Sequence, residues 1–307
     1  MSKKVLVATV KPFAQAAVEQ MEEIFNKAGY EMVLLAGYED PADLIAGVSD
    51  ADALVVRSDK VTEEILKGTD RLKLVVRAGA GFDNIDLAAA TAKDVVVMNT
   101  PGQNANAVAE LVLGMMVYQA RNQFNGKSGI ELKGKNLGLH AYGNVGRHVS
   151  RIAKGFGMEV FALDPYIDAS VIKNDGVTPV ESVEELYSTC QYVSLHIPAN
   201  EETKGSINYT LLSMMPLGAT LVNTARKEVI DEDSLLRIFA AREDFCYLSD
   251  IAPDCADEIK MNYLGRYFFT PKKMGAQTAE ANINAGIAAA NQIINYFEKG
   301  DTTFQVN

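Results

Sequence analysis

Three small residues, Ala141, Gly143 and Gly146, stand where an apolar run from Leu137 to His140 gives way at once to a helical period. A strand, a tight turn and a helix start at that spacing make an anion cradle. The backbone of Gly143 can come close to a pyrophosphate, Gly146 lets the helix pack against the strand, and the first N–H groups of the helix face the charge. Ala141 takes the place of the usual first glycine and adds a methyl group to the turn. One strand further on, Asp164 stands where an acid accepts hydrogen bonds from the adenosine ribose and repels a 2′-phosphate, so NAD is expected rather than NADP. The cofactor contacts of this segment are Tyr142, Gly143, Asn144, Val145, Gly146 and Asp164. A second group, Ala78, Gly79 and Ala80, follows the run Leu72 to Arg77, where a glycine turn can aim N–H groups at a carboxylate. Arg57, Ser58, Lys60 and Arg77 are candidate phosphate contacts. Two adjacent lysines, Lys272 and Lys273, sit in a loop framed by Pro271 and Gly275, and their purpose depends on what the rest of the chain binds.

The elements that position these residues are legible from hydrophobic period. Short β-branched runs at 4–10, 32–35, 53–57, 72–77 and 95–98 alternate with helical stretches at 12–27, 41–48, 62–67 and 85–93. After a long helix over 104–123 the rhythm restarts, with strands at 137–140, 159–163, 192–196, 219–222 and 245–249 and helices at 145–156, 182–188, 208–213 and 231–241. A last helix spans 279–298. The pattern predicts an α/β chain of two doubly wound parallel-sheet, Rossmann-like domains.

With 307 residues the chain can bury two cores. A net charge of −11 disfavours a nucleic acid or an anionic membrane as partner and leaves room for a small anionic substrate met by a few convergent cations. The three cysteines fall in no metal-binding or paired spacing, so no metal is expected, and a reducing cytoplasm fits. No run is long enough for a membrane span.

The segments around Arg57, Arg77–Asp86, Asn99–Gly102, the glycine turn, His196–Pro198, Val222–Arg226 and Val229–Asp231 together resemble the D-isomer-specific 2-hydroxyacid dehydrogenases over nearly the whole chain. The resemblance implies an NAD-binding Rossmann domain at 99–280 inserted into a discontinuous, flavodoxin-like substrate-binding domain, 1–98 plus 281–307. It also implies an active-site cleft between them and a homodimer joined through the NAD-binding domains. Arg226 matches the family's carboxylate-binding arginine, and Asp250 the acid that holds the nicotinamide carboxamide. His196, Pro198, Thr224 and Ala225 are expected to line the cofactor. The expected reaction is NAD-dependent oxidation of D-3-phosphoglycerate to 3-phosphohydroxypyruvate in serine biosynthesis. A dehydrogenase or reductase for another D-2-hydroxy acid, such as glyoxylate or hydroxypyruvate, and an NADH-sensing module without catalysis are the alternatives. Larger relatives carry a regulatory domain after the last helix; with only 300–307 there, serine feedback is not expected.

The family's acid/base histidine is missing, because no histidine follows His196. Lys273 occupies its position, and Cys255 stands where the partner glutamate is expected, with Asp254, Asp257 and Glu258 close by. The two changes are coherent. A carboxylate would hold a lysine in its charged form, whereas partial burial, Lys272 and Arg226 would each push it toward neutrality. Bringing a lysine from about 10.4 to about 7.5 takes on the order of 4 kcal/mol. Lys273 is therefore the expected general acid/base, with Lys272 the alternative base or a further substrate anchor.

Overall fold

The computed structural model describes residues 2–307 and separates into two compact units, Met1–Asn104 with Gln277–Asn307, and Ala105–Ala276. The cuts at 104/105 and 276/277 lie a few residues inside the 99–280 boundaries expected from the resemblance.

In the first unit the order is β1 (Lys4–Thr9), α1 (Gln15–Lys27), β2 (Glu31–Ala36), α2 (Pro41–Val48), β3 (Ala53–Val56), α3 (Glu63–Lys67), β4 (Leu74–Arg77), α4 (Leu87–Ala92) and β5 (Val96–Asn99). The second unit runs α5 (Ala105–Ala120), β6 (Asn136–His140), α6 (Asn144–Gly155), β7 (Glu159–Leu163), α7 (Ala169–Asn174), β8 (Thr178–Pro179), α8 (Val183–Thr189), β9 (Tyr192–Leu195), α9 (Tyr209–Met214), β10 (Thr220–Asn223), α10 (Glu232–Ala241), β11 (Cys246–Ser249), α11 (Ala256–Asn262) and β12 (Tyr267–Phe269). The chain then returns to the first unit as α12 (Ala279–Lys299).

The first sheet has the order β2-β1-β3-β4-β5, with every neighbouring pair parallel. That is the flavodoxin-like doubly wound order. Both faces are covered, which is why its strands read as unbroken apolar runs. Val5 and Val7 join Phe25, Ala289 and Ile293 in a core beneath α1 and α12, while Leu6 and Ala8 point the other way, to Leu44, Val48 and Ile65. Beyond β5 the last residues pair back antiparallel, Met98 opposite Gln305, with Val306 N–H donating to Val97 O.

The second sheet runs β12-β11-β10-β9-β6-β7-β8, again all parallel. Strand order reverses between β6 and β9, the position outside which open α/β sheets bind ligands at the carboxyl ends of their strands. One face packs under α5 and α6 through Leu137, Leu139, Val112 and Val149, and the other under α8, α9 and α10 through Leu186, Leu212 and Ile238. Gly138 gives α8 its close approach, since a Cβ there would meet Leu186 and the Cys190 Sγ at 3.0 and 3.1 Å.

Candidate active site

The turn after β6 holds the cradle. Gly143 caps α6, no side chain satisfies the helix start, and the first backbone bond inside the helix is Arg147 N–H to Gly143 O. The N–H groups of Asn144, Val145 and Gly146 thus head the helix dipole unpaired, as an anion site requires. The two glycines do different things. A Cβ on Gly146 would lie 2.6 Å from Ala141 O, so this glycine is required by packing; one on Gly143 would meet nothing within 4 Å, so this glycine keeps space clear. Ala141 adopts the left-handed conformation with φ 85°, the strained value that a first glycine would take freely.

Asp164 ties the same turn. Its Oδ2 accepts Tyr142 N–H at 2.8 Å and its Oδ1 accepts Tyr166 N–H at 2.9 Å. Each oxygen keeps a lone pair for a ribose hydroxyl. Tyr142 itself contributes its backbone only, because its ring is fully buried and its hydroxyl bonds Ser150 Oγ and Asp175 Oδ2, both at 3.1 Å. His196 and His140 lie beside the turn, with His196 N–H donating to His140 O at 2.9 Å. Burial drives both imidazoles neutral, His196 down to about 3 and His140 down to about 4. Asp164 opposes the shift at His140, while the two rings disfavour each other's charge at His196.

At the ends of β10 and β11 the second set of residues converges. Asn223 folds the turn after β10, its Oδ1 accepting Ala225 N–H and its Nδ2 donating to Arg226 O, both at 2.9 Å. The Ala225 carbonyl then accepts from two cations, Arg226 Nη1 at 3.0 Å and Lys273 Nζ at 3.5 Å. The candidate anchor and the candidate base therefore meet at one oxygen. Lys273 arrives there on a loop held by Asp250, whose buried carboxylate accepts Met274 N–H at 2.7 Å, Gly275 N–H at 2.8 Å and Thr270 Oγ1–H at 3.0 Å. Gly275 is required here: a Cβ would stand 2.9 Å from Asp250 Oδ2.

Two expectations for this region change. Lys272 and Lys273 are both exposed, so the partial burial expected for Lys273 is not found. Cys255 is no ionisable substitute for a glutamate, since burial, reinforced by Glu232, pushes its thiol up to about 12. Asp254 pairs with Lys227, and Asp257 pairs with Lys260 at 3.2 Å. Sequence reasoning missed Asn223, Thr270 and Glu232. Only Asn223 left a local signal, an amide two residues ahead of a strand-end turn.

In the first unit the substrate candidates divide. Arg57 is engaged: its Nη1 donates to Lys11 O at 3.0 Å and Pro12 O at 3.1 Å, its Nη2 bonds Asn282 Oδ1, and its guanidinium lies over Phe13. Of the three N–H groups expected to face a carboxylate, Ala78 donates to Val56 O and Gly79 to Arg77 O, both at 2.8 Å, which leaves Ala80. Those bonds correct the expected three-donor nest. Gly79, at φ 153°, is shaped by Arg77, since a Cβ would fall on the guanidinium whose Nε donates to Arg57 O at 2.9 Å. Ser58 and Lys60 are exposed on either side of Asp59, a buried carboxylate that accepts Val10 N–H and Tyr38 O–H.

NAD fits the second unit on its own evidence. Besides the uncapped helix start, His196 Nε2 and Thr224 Oγ1 are buried polar atoms with no hydrogen-bond partner among the described residues, at the carboxyl ends of β9 and β10. Asn144, Val145 and Gly146 would hold the pyrophosphate and Asp164 the ribose. Pro198 is exposed beyond β9. No group of His, Cys, Asp or Glu among the described residues could hold a metal ion, and no helix among them is long and apolar enough to cross a membrane.

Comparison with known proteins agrees with this geometry. The family model for the D-isomer specific 2-hydroxyacid dehydrogenase, NAD binding domain, matches residues 105–255. The chain is similar to D-3-phosphoglycerate dehydrogenase of Methanocaldococcus jannaschii, with 33% identity over 94% of this chain and 57% of that protein. It is also similar to hydroxypyruvate reductase of Thermotoga maritima, with 35% identity over 90% of this chain and 94% of that protein. The chain thus spans little more than half the length of the first of these relatives. Among solved structures, 3-phosphoglycerate dehydrogenase of Entamoeba histolytica with NAD+ bound matches with a TM-score of 0.90 and 48% identity, covering 100% of this chain and 99% of that one.

Proposed function

Because the chain belongs to the D-isomer-specific 2-hydroxyacid dehydrogenase family, we propose that it oxidises D-3-phosphoglycerate to 3-phosphohydroxypyruvate with NAD, the oxidation that opens serine synthesis. The observation that carries the mechanism is the convergence of Arg226 Nη1 and Lys273 Nζ on Ala225 O. Arg226 presents a planar fork to the substrate carboxylate. Lys273 takes the hydroxyl proton as C2 is oxidised and returns it on reduction. NAD, when bound, supplies the acceptor for the C2 hydride. The candidate phosphate contacts are Arg57, Ser58, Lys60 and Arg77, of which Arg57 and Arg77 also donate to main-chain carbonyls of the first unit.

The relatives named for phosphoglycerate oxidation support the phosphorylated substrate. The Thermotoga maritima relative, matched over almost its full length, supports hydroxypyruvate reduction as the second reading. Assays of NADH formation with D-3-phosphoglycerate and D-glycerate, and of NADH consumption with hydroxypyruvate and glyoxylate, separate the two. Preference for the phosphorylated acid upholds the proposal, and preference for the plain acids replaces it with the second reading. No turnover despite NADH binding leaves a sensing module. Lys273→Met should abolish turnover while NADH still binds; an unchanged turnover number removes Lys273 from the chemistry. The reading also carries a cytoplasmic homodimer formed through the NAD-binding unit, which light scattering on the purified protein checks.

A further inference from the structure

Asp59 is a buried carboxylate, 7% exposed, just past the carboxyl end of β3 and between the exposed Ser58 and Lys60. Its bonds reach the ends of four strands. Oδ1 accepts Val10 N–H at 2.6 Å after β1 and Tyr38 O–H at 3.0 Å after β2, while Oδ2 accepts Arg57 N–H at 3.3 Å after β3. Its main-chain oxygen accepts Asn84 Nδ2 at 2.6 Å, after β4. In an open α/β sheet this carboxyl edge is where ligands bind. The candidate phosphate contacts Arg57, Ser58, Lys60 and Arg77 all lie along it. Val10 begins the turn whose Lys11 and Pro12 carbonyls accept Arg57 Nη1, and the Arg57 carbonyl in turn accepts Arg77 Nε at 2.9 Å. Burial works against the positive charge of Arg57, and Asp59 is the neighbour that opposes this.

Resting on the proposed reading of these residues as contacts of a phosphorylated acid, we infer that Asp59 is a positioning residue for recognition of the substrate phosphate. Its own charge would repel a phosphate, and its oxygens are instead spent inside the protein, on the segments that carry and receive Arg57. Only a carboxylate suits this place. The N–H groups of Val10 and Arg57 approach separate oxygens, so an asparagine would set its NH2 against one or the other. The Tyr38 hydroxyl can rotate to accept instead, but a main-chain N–H cannot. The donor displaced is either in the turn that receives the Arg57 guanidinium or on Arg57 itself, so both orientations of an amide move the same cation.

The test measures KM and kcat for D-3-phosphoglycerate and for D-glycerate at saturating NAD, in the full chain, for wild type, Asp59→Asn and Tyr38→Phe. Asp59→Asn should raise KM for the phosphorylated acid about tenfold relative to KM for the plain acid, the worth of one hydrogen bond to a charged group, with any change in kcat common to both. Tyr38→Phe keeps the carboxylate and both N–H bonds and should move the same ratio in the same direction by about twofold. A mere loss of folded protein lowers the rate with both acids alike and leaves the ratio of their KM values where it was. If that ratio does not move in Asp59→Asn or, should that variant fail to fold, in Tyr38→Phe, Asp59 serves the fold alone and the inference is overturned. If wild type itself shows no lower KM for the phosphorylated acid, the phosphate reading fails and takes the inference with it, a result seen before either variant is made.

Discussion

The two glycines of the cradle allow a prediction in which binding and folding separate. In Gly146→Ala the new Cβ would sit 2.6 Å from Ala141 O, and that carbonyl belongs to a residue already held at φ 85°. The turn must open by about half an ångström, an overpacking cost of about 1–3 kcal/mol. For a unit of this size that lowers Tm by about 2–4 °C per kcal/mol even without ligand. In Gly143→Ala the Cβ meets nothing and φ is −75°, a value any residue adopts, so the unliganded Tm should not move. The methyl group instead fills the space through which the pyrophosphate must approach the helix start. Wild-type protein at a hundredfold excess of NADH over its dissociation constant gains about 2.7 kcal/mol. Gly143→Ala should lose most of that gain while matching wild type in its absence. Thermal unfolding with and without NADH, supported by fluorescence titration, reads both quantities. Wild-type NADH affinity in Gly143→Ala would refute the cradle, and an unchanged Tm in Gly146→Ala would refute the packing requirement.

Other expectations follow from the same contacts. The part-buried histidines, His140 and His196, make stability rise with pH between the folded and unfolded titrations, because the unfolded chain binds their protons first. With His140 near 4 and His196 near 3, lowering pH from 6.5 to 4.5 should cost about 2 kcal/mol for each, and urea midpoints of the wild type against a His140→Gln, His196→Gln variant check it. A midpoint flat across that interval would show that the imidazoles are not held neutral. Tyr142→Phe removes a buried hydroxyl bonded to Ser150 and Asp175 and should cost about 1–2 kcal/mol in calorimetry, with NADH affinity retained since only the backbone of Tyr142 faces the turn. Gly79→Ala should displace the Arg77 guanidinium and raise the substrate KM while NADH affinity holds; an unchanged KM takes this turn out of the substrate site.

Most strands were legible because both faces of each sheet are covered, leaving apolar runs such as Leu54–Val56 and Leu221–Val222 between helical periods. Two helices escaped. The helix α7 is only six residues long, with Asp168 as its cap, and α11 begins where Glu232, from a separate helix, accepts the N–H groups of Asp254 and Cys255. No local period announces a helix start satisfied from 22 residues away. The glycine cradle and Asp164 were legible because their spacing is local. The engagement of Arg57 was not, since one of its partners, Asn282, lies 225 residues further along the chain. Sequence can identify a cation at such a place, while the contacts that occupy it arise only in three dimensions.

The split of the first unit sets an order of events during synthesis. Its sheet leaves the ribosome with β1 to β5, but the helix that covers the Val5, Val7 and Phe25 face, α12, follows the whole of Ala105–Ala276. At about 5–20 residues per second that face waits roughly 10–30 s for its cover. The second unit is contiguous and can close first. A nascent chain stalled before Ala279 would hold one finished unit and one sheet whose α1 side still lacks its second covering helix, and apolar surface left open in this way is a site for aggregation.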